Sequence, residues 1–315
     1  MSILNKLCNS NLIDNHIMWK YLSILILAVA ITARIFQFIF HKDLWLDEAM
    51  LSAALYEIDF SDIFFSPLPY TQAAPFGFLA VIKLACLLFG YSEYSLYFFP
   101  LICGIASLIL SLKIANKIYG GGGGDCLSCA FVAICAGSLG LIHYSTEFKQ
   151  YGIEAFVAFL LTYIYVSGKN FKIFSLFSVI LIFFSNTIIF IIFGFFCAYL
   201  YRNIYNLKSF ISKNFLYILV IPFVFIIYYL GYIRYQAVSG FYEYWDNFFL
   251  PHDILSYPKF ISEVLLDIFV GYTPFGKTRV LPIYIHFYIG FILAILQLQR
   301  YICSLYCDPS YCYTS

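Results

Sequence analysis

The sequence predicts an all-α, polytopic membrane protein of about eight transmembrane helices, with juxtamembrane helices in its first outer loop. Three observations carry this. Hydrophobic residues make up 63% of the chain and charged residues 11%, against roughly half and a quarter in a soluble domain. Apolar runs near the length a bilayer requires, about 20 residues with roughly 17 as a lower limit, recur along the chain. Basic residues fall between those runs in a pattern that orients them. The 18 basic and 17 acidic residues nearly cancel, so no nucleic-acid partner is implied.

Residues 1–18 read as a cytoplasmic N-terminus. Residues 19–40 read as a retained first span, since no small-residue cleavage site follows. Residues 41–94 form an outer loop. Within it, Leu46, Met50, Leu51, Ala54 and Leu55 fall at helical spacing, which suits a helix lying at the interface. Residues 75–90 are apolar but short and carry Lys83. Further spans are expected at 95–119, 126–144, 151–167, 171–185, 187–201, 214–232 and 281–299. Residues 19–232 thus make a transmembrane module. Residues 233–280 form an extracytoplasmic loop and 300–315 an atypical tail.

Lys6, Lys20, Lys113, Lys117, Lys169, Lys172, Arg202, Lys208, Lys213 and Arg300 all fall on the cytoplasmic side only if 75–90 does not cross. That assignment puts Asp47 and residues 143–150 on one outer face of the inner (plasma) membrane. The glycine run 120–124 lacks the Lys and Ser/Thr of a phosphate loop and reads as a flexible turn, with Asp125 capping the next helix. Of ten cysteines, Cys86, Cys103, Cys135 and Cys197 sit among apolar neighbours, which is packing rather than a disulfide framework. Cys126 and Cys129 have no second pair to complete a zinc site.

Four polar clusters fall on the expected outer face. Asp47-Glu48 leaves the first span, with Arg34 in its outer half able to reach outward or to form a structural ion pair. Gln72 opens the short apolar stretch that holds Lys83. His143 to Tyr151 concentrates His143, Tyr144, Glu147, Lys149 and Tyr151. Glu147 and Lys149, two apart, point different ways on a helix, which suits a carboxylate towards an acceptor or metal and a cation towards a phosphate. A solvated hinge between spans would also account for them. The last cluster holds Arg234, Glu243, Trp245, Asp246, His252, Lys277 and Arg279.

The order L-W-L-D-E-A (44–49), Q-A-A-P-F-G-F-L (72–79), S-E-Y-S-L-Y-F-F-P (92–100) and L-I-H-Y-S-T-E-F-K-Q-Y-G (141–152) resembles the GT-C class of membrane glycosyltransferases. The branch is that of protein O-mannosyltransferases, aminoarabinose lipid A transferases and rhizobial lipopolysaccharide transferases. The likeness runs from about Arg34 to about Tyr201. It implies a polyprenyl-phosphate sugar donor, a lipid, glycan or protein acceptor, and inverting transfer on the extracytoplasmic side. It implies Asp47 as general base, with Glu48 and Glu147 in the catalytic set. Lys149, Lys83 and Arg34 would meet the donor phosphate. Trp45, Gln72, His143, Tyr144 and Tyr151 would line the substrate cavity. It names no certain cofactor, and a divalent metal at Glu48 or Glu147 stays open. Ala73-Ala74-Pro75 stands where the family often has His-Pro-Pro, and Tyr97 where it often has arginine. Two other readings stand beside this one: a transporter or flippase of a lipid-linked sugar, and a truncated inactive copy.

Overall fold

The computed structural model describes residues 12–40, 43–120, 125–236, 251 and 253–262. The chain divides into two compact units, 1–241 and 242–315. In the second, Asp253 caps the single turn Ile254–Ser256, its carboxylate accepting from Ser256 N at 2.9 Å. Glu243, Trp245, Asp246, His252, Lys277, Arg279 and the expected span 281–299 lie outside the described residues.

The first unit is helical throughout its described regular structure. Its elements are α1 (Leu12–Ile39), α2 (Leu46–Glu57), α3 (Asp62–Phe65), α4 (Phe76–Phe89), α5 (Glu93–Ile118), α6 (Asp125–Gly137) and α7 (Leu139–His143). After a 3-10 turn (Tyr144–Thr146) come α8 (Tyr151–Val166), α9 (Phe171–Leu181), α10 (Ile188–Arg202), α11 (Leu207–Tyr228) and α12 (Arg234–Gln236). A π-helical turn (Tyr229–Ile233) joins the last two.

Among the described residues, three stretches are long and apolar enough to cross a bilayer: His16–Ile39, Glu93–Ile118 and Ile204–Gln236. The pair Asp125–Gly137 and Leu139–Thr146, bent by 56°, makes a fourth if it is one broken span. That is fewer than the eight expected. One of the eight, 281–299, lies outside the described residues; the rest of the shortfall comes from the helices at 151–202. Gly168 at φ +68° closes α8 after 16 residues, and α9 has only 11. At 1.5 Å per residue, α9 is roughly 16 Å long, well short of a hydrocarbon core. Helix α4, at 14 residues, is also among the shorter apolar helices.

The helices nonetheless alternate between two ends of one bundle. At one end Tyr94 Oη donates to Ile39 O (3.3 Å), Gly77 N to Phe183 O (2.9 Å) and Tyr232 Oη to Ala74 O (2.8 Å). At the other, His16 pairs with Asp125, Ser128 Oγ donates to Ala115 O (3.2 Å) and Tyr199 Oη donates to Lys169 O (3.0 Å). Helix α5 is the hub. Its apolar window is 56% buried, against 17% for α1 and for α11. It packs on α1, α4, α6, α8 and the 3-10 turn. Ser92 caps its start by accepting from Ser95 N at 3.3 Å. Helix α2 buries Leu51, Ala54 and Leu55 but turns Leu46 and Met50 outward, so only part of its apolar set faces the core.

Close approach at the hub depends on glycine. A Cβ at Gly104 would lie 2.5 Å from Ser145 Cβ, and one at Gly152 would lie 2.4 Å from Tyr144 O. These two contacts hold the 3-10 turn, and hence the residues after it, against α5 and α8. Gly104→Ala gains about 1 kcal/mol of helix propensity, but overpacking against Cβ and backbone costs about 1–3 kcal/mol. The variant should therefore melt below wild type in detergent. An equal or higher Tm would contradict this packing.

Candidate functional site

The site is built where the start of α2 meets the chain just after the 3-10 turn. Asp47 and Glu48 occupy the first turn of α2, where the exposed amide ends of the helix favour negative charge. Glu48 is fully buried. Its Oε2 accepts from Trp45 N at 3.2 Å, reaching back to close the helix end. Its Oε1 accepts from Phe148 N at 2.6 Å, a hundred residues away in sequence. The sequence reading put Glu48 in the catalytic set. The geometry makes it a strut between α2 and the 147–149 segment.

That segment is shaped to send two charges apart. Glu147 is extended (φ −121°, ψ 134°), and Lys149 N returns to Glu147 O at 2.8 Å. The tight turn drives Phe148 into the core, its ring 5.7 Å from that of Phe78. Lys149 Nζ lies 2.6 Å from Asp47 Oδ2 and donates to Gln72 Oε1 at 3.0 Å. Gln72 Nε2 closes the triangle on Asp47 Oδ1 at 3.2 Å. Glu147 goes the other way. Its Oε1 accepts from Trp45 Nε1 at 2.8 Å, and its Oε2 lies 2.9 Å from His143 Nε2. The latter is an ion-pair separation without hydrogen-bond alignment, and no other group bonds that oxygen. Glu147 and Lys149 therefore have separate partners, but through a tight turn and not through the helix from which their spacing was read.

Exposure divides the cluster. The side chains of Lys149 and Glu147 are 7% and 3% exposed, those of Asp47 and His143 40% and 44%. Trp45 and Tyr151 are also exposed. The rings of His143, Tyr144 and Tyr151 follow one another at 5.1 and 4.9 Å. An open carboxylate thus stands beside an aromatic row, with its counter-cation enclosed behind it.

Gln72 is placed by a device that residue type does not announce. Tyr70 and Thr71 both take positive φ, 58° and 54°, uncommon for residues with a Cβ and most of all for a β-branched one. The loop carrying them is sewn down by the end of α11 and beyond. Leu68 N donates to Gln236 Oε1 (3.1 Å), and Tyr232 Oη donates to Ala74 O (2.8 Å). Sequence reasoning did not single out Gln236 or Tyr232. The available signal was the repeated tyrosine at the end of an apolar run, at 228, 229 and 232.

Two expected positions fall elsewhere, and Tyr97, where the family often has arginine, is not at the site either. Lys83 Nζ donates to Leu55 O (2.7 Å) and Ile58 O (2.9 Å), so its charge serves the carbonyl end of α2 rather than a phosphate at the triangle. Arg34 does not reach outward. It is 1% exposed, and its Nη1 donates to Ala30 O one turn back towards the N-terminus of α1. Tyr97 is enclosed in the core. Nearby, Tyr91 Oη donates to Ser52 O and ties α2 to the link between α4 and α5. Burial pushes that phenol up to about 12, so it stays a donor.

No group of three His, Cys, Asp or Glu residues among the described ones is arranged to hold a metal ion. The donor chemistry agrees. The oxygens of Glu48 receive backbone amides, and those of Glu147 face an indole N–H and an imidazole. Glu48 is spent on those amides, and Glu147 with His143 makes only two of the roughly three or four protein ligands that a bound divalent cation such as zinc takes, so these described carboxylates do not fit one. The triangle itself can do two things. Asp47 can accept a proton from a group arriving at the surface. The Lys149 ammonium has three N–H bonds, two of them directed at Asp47 and Gln72, and can turn the third to an anion. No protein-family model, curated protein or solved structure matches this chain.

Glu48→Ala should strip Phe148 N and Trp45 N of their acceptor at a buried junction. The cost is about 3 kcal/mol, a Tm fall of roughly 5–10 °C. Asp59→Ala, on an exposed residue, should change Tm little. Matching Tm values for the two variants would remove Glu48 from its place as the strut.

Proposed function

We propose that this membrane protein is a glycosyltransferase that moves a sugar from a polyprenyl-phosphate donor to a lipid, glycan or protein acceptor at the extracytoplasmic face, with Asp47 as general base. The observation that carries the reading is the Asp47–Lys149–Gln72 triangle. An exposed carboxylate stands 2.6 Å from an enclosed ammonium, beside an aromatic row that suits a sugar ring. The likeness of motifs 44–49, 72–79, 92–100 and 141–152 to the GT-C class supports it. So does the alternation of α1, α5, α6–α7, α8, α9, α10 and α11 between the bundle ends. If each of these crosses, 281–299 adds the eighth span, and 75–90 lies in the outer leaflet of the plasma membrane.

In this reading the acceptor hydroxyl approaches Asp47 and gives it its proton. Its oxygen attacks the sugar C1 from the face opposite the phosphate. The C1–O bond to phosphate breaks, and the phosphate leaves with the electron pair as polyprenyl phosphate. One new glycosidic bond forms, the anomeric centre inverts, and no covalent intermediate is needed, unlike the two-carboxylate retaining hydrolases. Lys149 answers the charge growing on the leaving oxygen, which is where a fixed cation lowers the barrier most. Trp45, Tyr144 and Tyr151 hold the sugar. Glu147 orients Trp45 and His143.

Asp47→Asn keeps the shape of the side chain and removes the base. Transfer should fall on the order of a hundredfold or more, with a donor Kd near wild type and a cooperative melt. Near-normal turnover in a folded Asp47→Asn protein would sink the assignment. Unchanged movement of intact donor across the bilayer would instead indicate a transporter.

Lys149→Ala should weaken donor binding more than it slows the saturated reaction, since part of the contact exists in the ground state. Lys149→Arg should retain some affinity, as both cations receive phosphate with different geometry. Titration of a polyprenyl-phosphate sugar into both variants and wild type measures this. Equal affinities would move the phosphate site elsewhere.

A further inference from the structure

Arg34 has a use that the transfer reaction does not absorb. Its side chain is 1% exposed, inside α1 about 8 Å below the helix end. A guanidinium stays charged in proteins and is costly at that depth without an anion. Among the described residues, no carboxylate pairs with it. One edge is satisfied, Nη1 donating to Ala30 O at 3.1 Å. Nε and Nη2 are buried with no partner. These two nitrogens belong to the same edge of the guanidinium. Their N–H bonds run parallel, the fork that receives one anion from two donors.

That side chain lines a cavity between α1, α5, α6, α7 and α8, with Gly104, Ser107, Cys135 and Gly152 around it. Leu141 and Gly152, which flank the 143–151 cluster in sequence, also reach it. The space is about 10 Å³, the room of roughly one water-sized particle. A phosphate does not fit there without displacing helices. Ser107 Oγ spends its proton on Cys103 O at 2.8 Å, so it offers no competing donor. The glycines at 104 and 152 bring the surrounding backbone close and keep the cavity small.

We propose that Arg34 holds a monatomic anion, chloride in cells, as a structural site in the core of the bundle. The ion neutralises the guanidinium and satisfies Nε and Nη2 together. Water would supply acceptors but leave the charge in place. The site is independent of the transfer reaction, and its test does not require activity.

Purified protein in detergent is melted at constant ionic strength while sodium gluconate is exchanged for sodium chloride or bromide. Wild type should gain a few degrees in Tm, saturating with halide concentration as a single bound ligand does. Arg34→Gln, which keeps hydrogen-bond donors without charge, should lose that dependence. If Arg34→Gln does not fold, wild type crystallised in bromide decides alone, with an anomalous peak expected beside Nε and Nη2. Equal Tm values in gluconate and halide, or no bromide peak at Arg34, would overturn the proposal. So would stabilisation by phosphate but not by halide, which would return Arg34 to a phosphate-binding role.

Discussion

Everything at this end of the bundle depends on one junction: the first turn of α2 clasping the segment 147–149. Two adjacent carboxylates do the clasping by different means. Glu48 takes the amide of Phe148, and Asp47 takes the ammonium of Lys149. The first bond is fully buried and fixes the backbone. The second is half open and leaves a charged oxygen at the surface. Phe148 between them anchors the turn in the core. Without this junction the loop 43–75 and the turn 144–150 would be separate surface features. With it they form one site.

The division of labour follows from burial. A buried carboxylate needs hydrogen bonds, and backbone amides at a helix start provide them. That makes Glu48 a good strut and a poor reagent. Asp47, one residue earlier, turns to the exposed side of the same helical turn. Lys149 is enclosed and is anchored by Gln72 as well as Asp47. Gln72 in turn is held by a backbone in an unusual conformation and by the π-helical turn and α12 that follow α11, through Tyr232 and Gln236. The site thus draws on helices distant in sequence, and disturbance of any of them reaches the triangle.

Much of this was legible in the chain. The helical class follows from composition and long apolar runs. Asp47, Gln72, Glu147 and Lys149 stood out because charged and amide groups are rare at such positions; the structure joins Asp47, Gln72 and Lys149 and turns Glu147 to Trp45 and His143. Other features were not legible. Glu48 and Asp47 look alike in sequence, and only the direction of each side chain separates strut from exposed acid. Lys83 read as a ligand of the donor phosphate because its acceptors, the carbonyls of Leu55 and Ile58, are backbone atoms that no pattern displays. Arg34 read as reaching outward because its distance from the helix end allowed it, whereas packing turned it back to Ala30. Among the described residues the span count is lower because Gly168 and the 182–187 connection shorten helices that apolar content alone runs together.

The most direct measurement is mass spectrometry of lipids and acceptors after the protein, in nanodiscs, meets a labelled polyprenyl-phosphate sugar and a membrane extract. The account predicts loss of donor, appearance of polyprenyl phosphate in equal amount, and an acceptor heavier by one sugar residue, all suppressed in Asp47→Asn. Bound donor that stays chemically intact in folded wild-type protein, with every accepted class of acceptor present, would contradict it.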